Sequence, residues 1–283
     1  GVPSGGEVLT AIDNLGAQHA QGFVICVPDV KLGPAVVAKA KQNNLKNLTF
    51  LQGSVKDGLK LPLEKFDVIL CEWMGCFVTN DTKLLQELVH CKAHHLADGG
   101  AVCPNKSSLY VAGITDYEYK TETVEYWNNV YGFQMKAMQP LVLKEPTACA
   151  IPHHLIKTSL AQVKALDIKD ISAEADMTFA APFSINVLEQ TTLHYLTFYN
   201  DAAFVHPTNS AANFVIGVTP GGRNSWTEVS AILPEAIPVF AGDVVTGTVK
   251  IDPTKGSTTI TLSVKCKNSL VEHDSTAEHH FQY

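Results

Sequence analysis

The sequence predicts an α/β half followed by a mostly antiparallel β half, with a helical excursion between them. Three observations carry this. Up to about residue 104, short apolar runs alternate with stretches at helical spacing. In the second half, apolar and polar residues alternate with a period of two over several segments. Between the halves lies a segment of large side chains: Tyr117, Tyr119, Tyr126, Trp127, Val130, Tyr131, Phe133, Met135 and Met138.

The elements follow in order. Gly22-Phe23-Val24-Ile25-Cys26-Val27 is a short apolar run that fits a buried parallel strand. Residues 34–43 carry Ala, Val and Lys at helical spacing and end in Asn43-Asn44. Leu48-Thr49-Phe50-Leu51-Gln52-Gly53 reads as the next strand, and Phe66-Asp67-Val68-Ile69-Leu70-Cys71 as another. Residues 82–96 place Leu84, Leu85, Leu88 and Val89 on one helical face, with Asp98-Gly99-Gly100 as the stop. Repeated strand–helix units imply an open parallel sheet, with ligands at the carboxyl ends of its strands. Residues 183–199, 244–251 and 258–266 alternate as strands, the last two flanking a hairpin turn at Asp252-Pro253-Thr254-Lys255-Gly256. This half is expected to form a barrel-like sandwich.

Bulk properties narrow the function classes. A hydrophobic content of 46% and a charged content of 17% are ordinary for a soluble protein. No apolar run approaches ~18 residues, so no membrane-spanning helix is expected. No signal peptide is legible at a start that reads Gly1-Val2-Pro3. A net charge of −7 argues against direct nucleic-acid binding, which needs a cationic face. Seven scattered cysteines without a C-x-x-C pair suit reduced, buried thiols and a cytoplasmic location, with the nucleus as the alternative. His94-His95, His153-His154 and His279-His280 have no partner at zinc spacing. They read as surface or capping residues, and no metal is expected.

The most informative segment is Cys71-Glu72-Trp73-Met74-Gly75, with Asp81 nine residues after Glu72. Three more segments accompany it in order. They are Leu96-Ala97-Asp98-Gly99-Gly100 with Cys103-Pro104-Asn105, then Trp127 to Met135 (WNNVYGFQM), then Lys144-Glu145-Pro146. Together they resemble the protein arginine methyltransferases over nearly the whole chain. The first is similar to that family's double-glutamate loop, and the third to its helical dimerisation arm. The resemblance implies a Rossmann-like domain for S-adenosylmethionine over residues 1–103 and a β-barrel domain over residues 104–283. The arm would lie at about 116–145, with Tyr126, Trp127, Val130, Tyr131, Phe133 and Met135 as its contact residues.

The positions that the resemblance assigns to chemistry are altered. In the family's glycine loop, Gly1 and Gly5 match the outer glycines, but Pro3 stands at the middle one, fixing φ and removing an N–H. Where an acid would hold the ribose hydroxyls, the strand ends in Pro28; Asp29 lies one residue on, facing the other way along a strand. The acid that would contact adenine is Lys56, in Gly53-Ser54-Val55-Lys56, and offers no acceptor. Two carboxylates would clamp a guanidinium and bias one nitrogen toward the sulfonium methyl. Glu72 keeps the first place, while Asp81 takes the second and is one methylene short. A misplacement of ~1 Å can cost ~10²-fold in rate. The loop histidine is replaced by Ser225, in Asn224-Ser225-Trp226, and serine has no group that titrates near neutrality.

Five changes at ligand contacts, with packing and arm segments still readable, define the expectation. The chain is a catalytically inactive paralogue with no bound cofactor, and Glu72, Asp81, Ser225 and Trp226 are relics. It pairs through the arm with an active arginine methyltransferase and stabilises or activates it, in the manner of trypanosomatid prozymes. Arginine- and glycine-rich protein substrates would be reached through that complex. The alternatives are an active but atypical S-adenosylmethionine-dependent arginine methyltransferase, and an interaction scaffold unrelated to methylation.

Overall fold

The computed structural model describes residues 23–26, 38, 49–74, 77, 82–171, 178–205, 210–217, 228–254 and 257–282. A parallel sheet comes first, formed by β1 (Phe23–Cys26), β2 (Phe66–Cys71) and β3 (Leu96–Cys103) in the order β1-β2-β3. Cys26 pairs with Cys71 at the carboxyl ends of β1 and β2. Helix α1 (Thr82–His95) connects β2 to β3 and buries Leu85, Leu88 and Cys91 against the sheet side. Parallel strands need such a crossover, because a tight turn cannot reverse the chain direction twice.

The remainder is β-rich. One antiparallel sheet comprises β4 (Lys106–Ile114), β5 (Thr147–Cys149), β6 (Ala161–Asp167), β8 (Thr191–Phe204), β9 (Phe214–Gly217) and β10 (Glu228–Val239). Its order is β5-β10-β8-β4-β6, with β9 on β8. The other is built from β7 (Phe179–Asn186), β11 (Val244–Thr254), β12 (Ser257–Lys267) and β13 (Glu272–Gln282), in the order β13-β12-β11-β7. Alternation explains the burial. Thr258, Ile260, Leu262, Val264 and Cys266 of β12 are buried, and the residues between them are not. Their faces meet Phe183, Ile185, Leu196 and Phe198 in one core, which Trp73, Phe77 and Leu88 of the first half also join. The fold is thus a Rossmann-like α/β domain followed by a barrel-like β subdomain. At Gly247 of β11 the flanking strands of the same sheet crowd in: a Cβ there would lie 2.1 Å from the Ser263 carbonyl oxygen of β12 and 2.6 Å from the Phe183 ring of β7.

Several expectations need correction. Thr49 to Gly53 is not a strand; Gly53 takes a φ of 145° and a turn closes between Val55 and Gly58. Asp98-Gly99-Gly100 does not stop the helix, which ends at His95; it lies inside β3 at a bulge. Phe66 faces Leu96 and Val68 faces Ala101, so the extra residues arch outward, with Gly99 at a φ of 77°. The 183–199 run is two strands, β7 and β8: Val187 still bonds Asp243 at the end of the β7–β11 ladder, and the chain then leaves that sheet through Leu188, Glu189 and Gln190 to start β8 in the other one. Asp252, Pro253 and Thr254 are ladder residues opposite Thr259, Thr258 and Ser257, so the hairpin turn is shorter than composition suggested. His279 is not a surface residue: β13 alternates, and position 279 falls on its core face. Cys103 and Cys149 are half-buried, whereas Cys71, Cys91 and Cys266 are buried. Among the described residues no cluster could hold a metal ion, and no helix is long and apolar enough to cross a membrane.

Candidate functional site

β2 delivers Glu72 to the carboxyl end of the parallel sheet, where open α/β sheets gather ligands. Glu72 is half-buried, and the residues after it are fastened down. Trp73 is buried, and its Nε1 donates to the Pro104 carbonyl oxygen at 2.9 Å. Met74 is buried, and Phe77 sits edge-on to Phe198 and Phe281, with ring centroids 5.7 and 5.6 Å apart. Such edge-to-face pairs add about 0.5–1.5 kcal/mol each beyond area burial. The loop that carries Glu72 is therefore a packing bridge between the parallel sheet and both antiparallel sheets.

Lys56 is tied to α1. Its backbone N–H donates to the Glu87 carboxylate, 3.1 Å to Oε2, and its Nζ donates to Gln86 Oε1 at 2.9 Å. An ammonium has three donors and no acceptor, so it does not fit an adenine amino group, which needs an acceptor. The other positions assigned to the cofactor, Gly1, Pro3, Gly5, Pro28 and Asp29, lie outside the described residues, as do Asp81, Ser225 and Trp226. Of the positions assigned to ligands, the structure describes Glu72 at the end of β2 and Lys56 beside the first half of α1.

The segment between β4 and β5 is a chain of short turns and helices. It runs through α2 (Tyr117–Thr123), a 3-10 turn (Glu125–Asn128), a second one (Lys136–Met138) and α3 (Gln139–Val142). Its tip is a tight turn in which Val130 and Phe133 exchange backbone hydrogen bonds of 2.8 and 3.0 Å. The two central residues, Tyr131 and Gly132, have φ of 51° and 93°, the requirement of a type I′ turn. Asn129 Oδ1 accepts the Gly132 N–H at 2.8 Å and fixes the approach. Tyr131 is 93% exposed and Phe133 73% exposed; Tyr126 and Met135 are exposed, and Trp127 and Val130 half-buried.

Sequence reasoning missed three contributors. Asp116 caps α2, its Oδ1 accepting the Tyr119 N–H at 2.9 Å; an Asp before a Tyr-Glu-Tyr run is a legible cap signal. His194 of β8 lies under that cap and left no signal in sequence. Lys92, in the last turn of α1, donates to the carbonyl oxygens of Ile168 at 2.6 Å and Ile171 at 3.0 Å, pinning α1 to the chain after β6. Burial pushes its pKa down against the pull of Asp170 and Asp167.

The comparisons with known proteins agree with this architecture. A methyltransferase domain matches residues 13–101, and the arginine methyltransferase oligomerization subdomain matches residues 105–269. Protein arginine N-methyltransferase 1 of Oryza sativa subsp. indica is 30% identical over 244 residues, 85% of this chain and 60% of the relative. This chain thus spans about 60% of the length of that relative. The enzyme of the same name from Dictyostelium discoideum is 28% identical over 273 residues, 94% of this chain and 78% of its own. A chain of the Trypanosoma brucei PRMT1 enzyme-prozyme heterotetrameric complex with AdoHcy superposes with a TM-score of 0.84 at 37% identity, covering 92% of this chain and 84% of its own. Protein arginine methyltransferase 10 of Arabidopsis thaliana shares the fold, with a TM-score of 0.71 at 18% identity over 92% of this chain and 81% of its own. With more than half of its length matched by the oligomerization subdomain, this chain belongs to the protein arginine methyltransferase family.

Proposed function

We propose that this chain is a non-catalytic member of its family, which pairs with an active arginine methyltransferase through the arm and stabilises or activates it. One contrast carries the reading. The adenine-acid position holds Lys56, bonded to Gln86, while the arm keeps exposed aromatic anchors at Tyr131 and Phe133. Altered ligand positions beside intact contact positions are the pattern of a subunit kept for its surface. The 37% identity to a chain of the trypanosome enzyme-prozyme complex supports a hetero-oligomer as the working form. No cofactor is expected to bind this chain, and arginine- and glycine-rich proteins would be methylated by its partner.

A second reading has an observation in its favour. Glu72 is retained at the end of β2, directly before the buried Trp73, where a guanidinium clamp would need it. An atypical active enzyme would use Glu72 with Asp81. The two readings separate in one assay, with radiolabelled S-adenosylmethionine and an arginine- and glycine-rich peptide. This chain alone, the active paralogue alone and the co-expressed pair are compared. Activity only in the pair, abolished by inactivating the paralogue, supports the first reading; methyl transfer by this chain alone supports the second.

A further inference from the structure

The arm leaves β4 through Thr115 and Asp116, and at that point the buried side chain of His194 meets its backbone. His194 is 5% exposed. Its Nδ1 accepts the backbone N–H of Asp116 at 3.2 Å and lies 3.3 Å from Thr115 Oγ1. A backbone N–H can only donate, so Nδ1 carries no proton and the neutral ring holds its proton on Nε2. Asp116 is also the cap of α2, through Oδ1 and the Tyr119 N–H. The N–H to Nδ1 bond thus ties the residue that starts the first helix of the arm to β8, next to the bond from the Thr115 N–H to the Leu155 carbonyl oxygen.

We propose that His194 is a proton-operated catch on the arm: neutral, it holds Asp116 and the start of α2 down, and protonated, it lets them go. The physical step is simple. A second proton on the ring goes to Nδ1, the atom that faces the Asp116 N–H. Two donors then point at each other, and the hydrogen bond is lost. Among the described residues that line the cleft or act on the ring, the charged and titratable ones are those of the arm. Asp116, Lys120, Tyr117 and Glu125 surround it, with the Tyr117 ring centroid 6.0 Å away. The residues that β8 and β10 add to that cleft, Thr191, Thr192 and Ala236, carry no charge. Burial opposes protonation most, Lys120 opposes it further, and Asp116 favours it, so the ring titrates below an ordinary histidine. The catch is therefore closed at neutral pH and opens in mild acid. Only its consequence rests on the association reading: if the arm meets a partner, that contact becomes acid-sensitive.

The test reads the arm without any partner, so its failure is distinguishable from a failure of the association reading. Amide exchange at Asp116 and Tyr119 is followed from pH 8 to pH 5.5, corrected for intrinsic rates. Protection of both amides is expected to fall by roughly tenfold or more in the wild-type chain. In His194→Asn the amide oxygen stands near the place of Nδ1 and does not titrate, so protection stays level. A level wild-type profile overturns the proposal, and so does a His194→Asn profile that falls like the wild type. Imidazole nitrogen shifts of wild-type His194 give a reading that needs no variant: an Nδ1–H tautomer at pH 8 also overturns it.

Discussion

Two aromatic-rich regions of this molecule are built in opposite senses. After β2, Trp73 and Phe77 point inward; one is hydrogen-bonded to Pro104 and the other wedged between Phe198 and Phe281. At the tip of the arm, Tyr131 and Phe133 stand in solvent on a turn that holds them outward. The first arrangement joins the parallel sheet to the antiparallel ones and contributes to folding. The second contributes little to the core, and a fold that displays such side chains on a fixed turn has use for them elsewhere. The backbone agrees: Tyr131 sits at a φ of 51°, strain that a glycine or asparagine would avoid. The proposed association assigns that strained aromatic to contact and not to the turn itself.

The comparison can be broken most directly at Phe77. Phe77→Ala is expected to cost about 3–5 kcal/mol of unfolding free energy in urea denaturation, because the cavity opens among rings from three layers. A loss below about 1 kcal/mol would show that the loop is not the bridge described here. Lys92→Met comes next, at about 1–3 kcal/mol, since the carbonyls of Ile168 and Ile171 lose their donor. Its heat-capacity trace is expected to show the α1 region loosening before the β sheets. Trp73→Phe removes the donor to Pro104 while keeping most of the apolar volume, and should cost about 1–2 kcal/mol.

Acid sharpens the comparison from the side of the arm. His194 and His279 both have folded pKa values pushed below the ordinary 6.5, chiefly by burial. The unfolded chain therefore takes up protons first. The stability they support is complete above pH 6.5 and is lost as pH falls through and below that value. Urea midpoints measured between pH 7.5 and 5.5 should decline, and the double variant His194→Asn, His279→Gln should flatten the decline. The smallest effect on folding is expected at the tip. Tyr131→Asn should leave stability unchanged or raise it by up to about 1 kcal/mol, because asparagine accepts a left-handed backbone. Association with an active family member, followed by sedimentation, should nevertheless weaken by roughly tenfold or more. Equal affinity in that variant would remove Tyr131 from the contact surface.

Much of this architecture is legible in the residues themselves. The apolar run Phe66 to Cys71 is β2 to the residue, and the helical face of Leu85 and Leu88 is the buried face of α1. The segments from Cys71 to Gly75 and from Trp127 to Met135 are recognisable from their residues as those of the family. Where composition misleads, the reasons are identifiable. Leu48 to Gly53 has strand composition, but the described part, Thr49 to Gly53, runs into a turn instead of joining a ladder. Asp98-Gly99-Gly100 has stop composition, yet a bulge absorbs it within β3. His279 belongs to a histidine pair that looks solvent-facing, and only the strand phase of β13 sends one of the two inward.

The sequence by itself determined the division into an α/β half and a β half, the place of β2 and α1, the family, and the residue types at the positions that the resemblance assigns to ligands, because periodicity and residue identity are local properties. Only the tertiary structure decided which side chains meet across long separations. The Trp73 bond to Pro104 spans 31 positions, the Lys92 bond to Ile168 spans 76, and the His194 bond to Asp116 spans 78. Such pairs leave no periodic trace, since each depends on how separate elements pack and not on spacing along the chain. For the same reason the tip of the arm showed itself as an outward-facing surface only once the turn at Tyr131 and Gly132 had been placed in space.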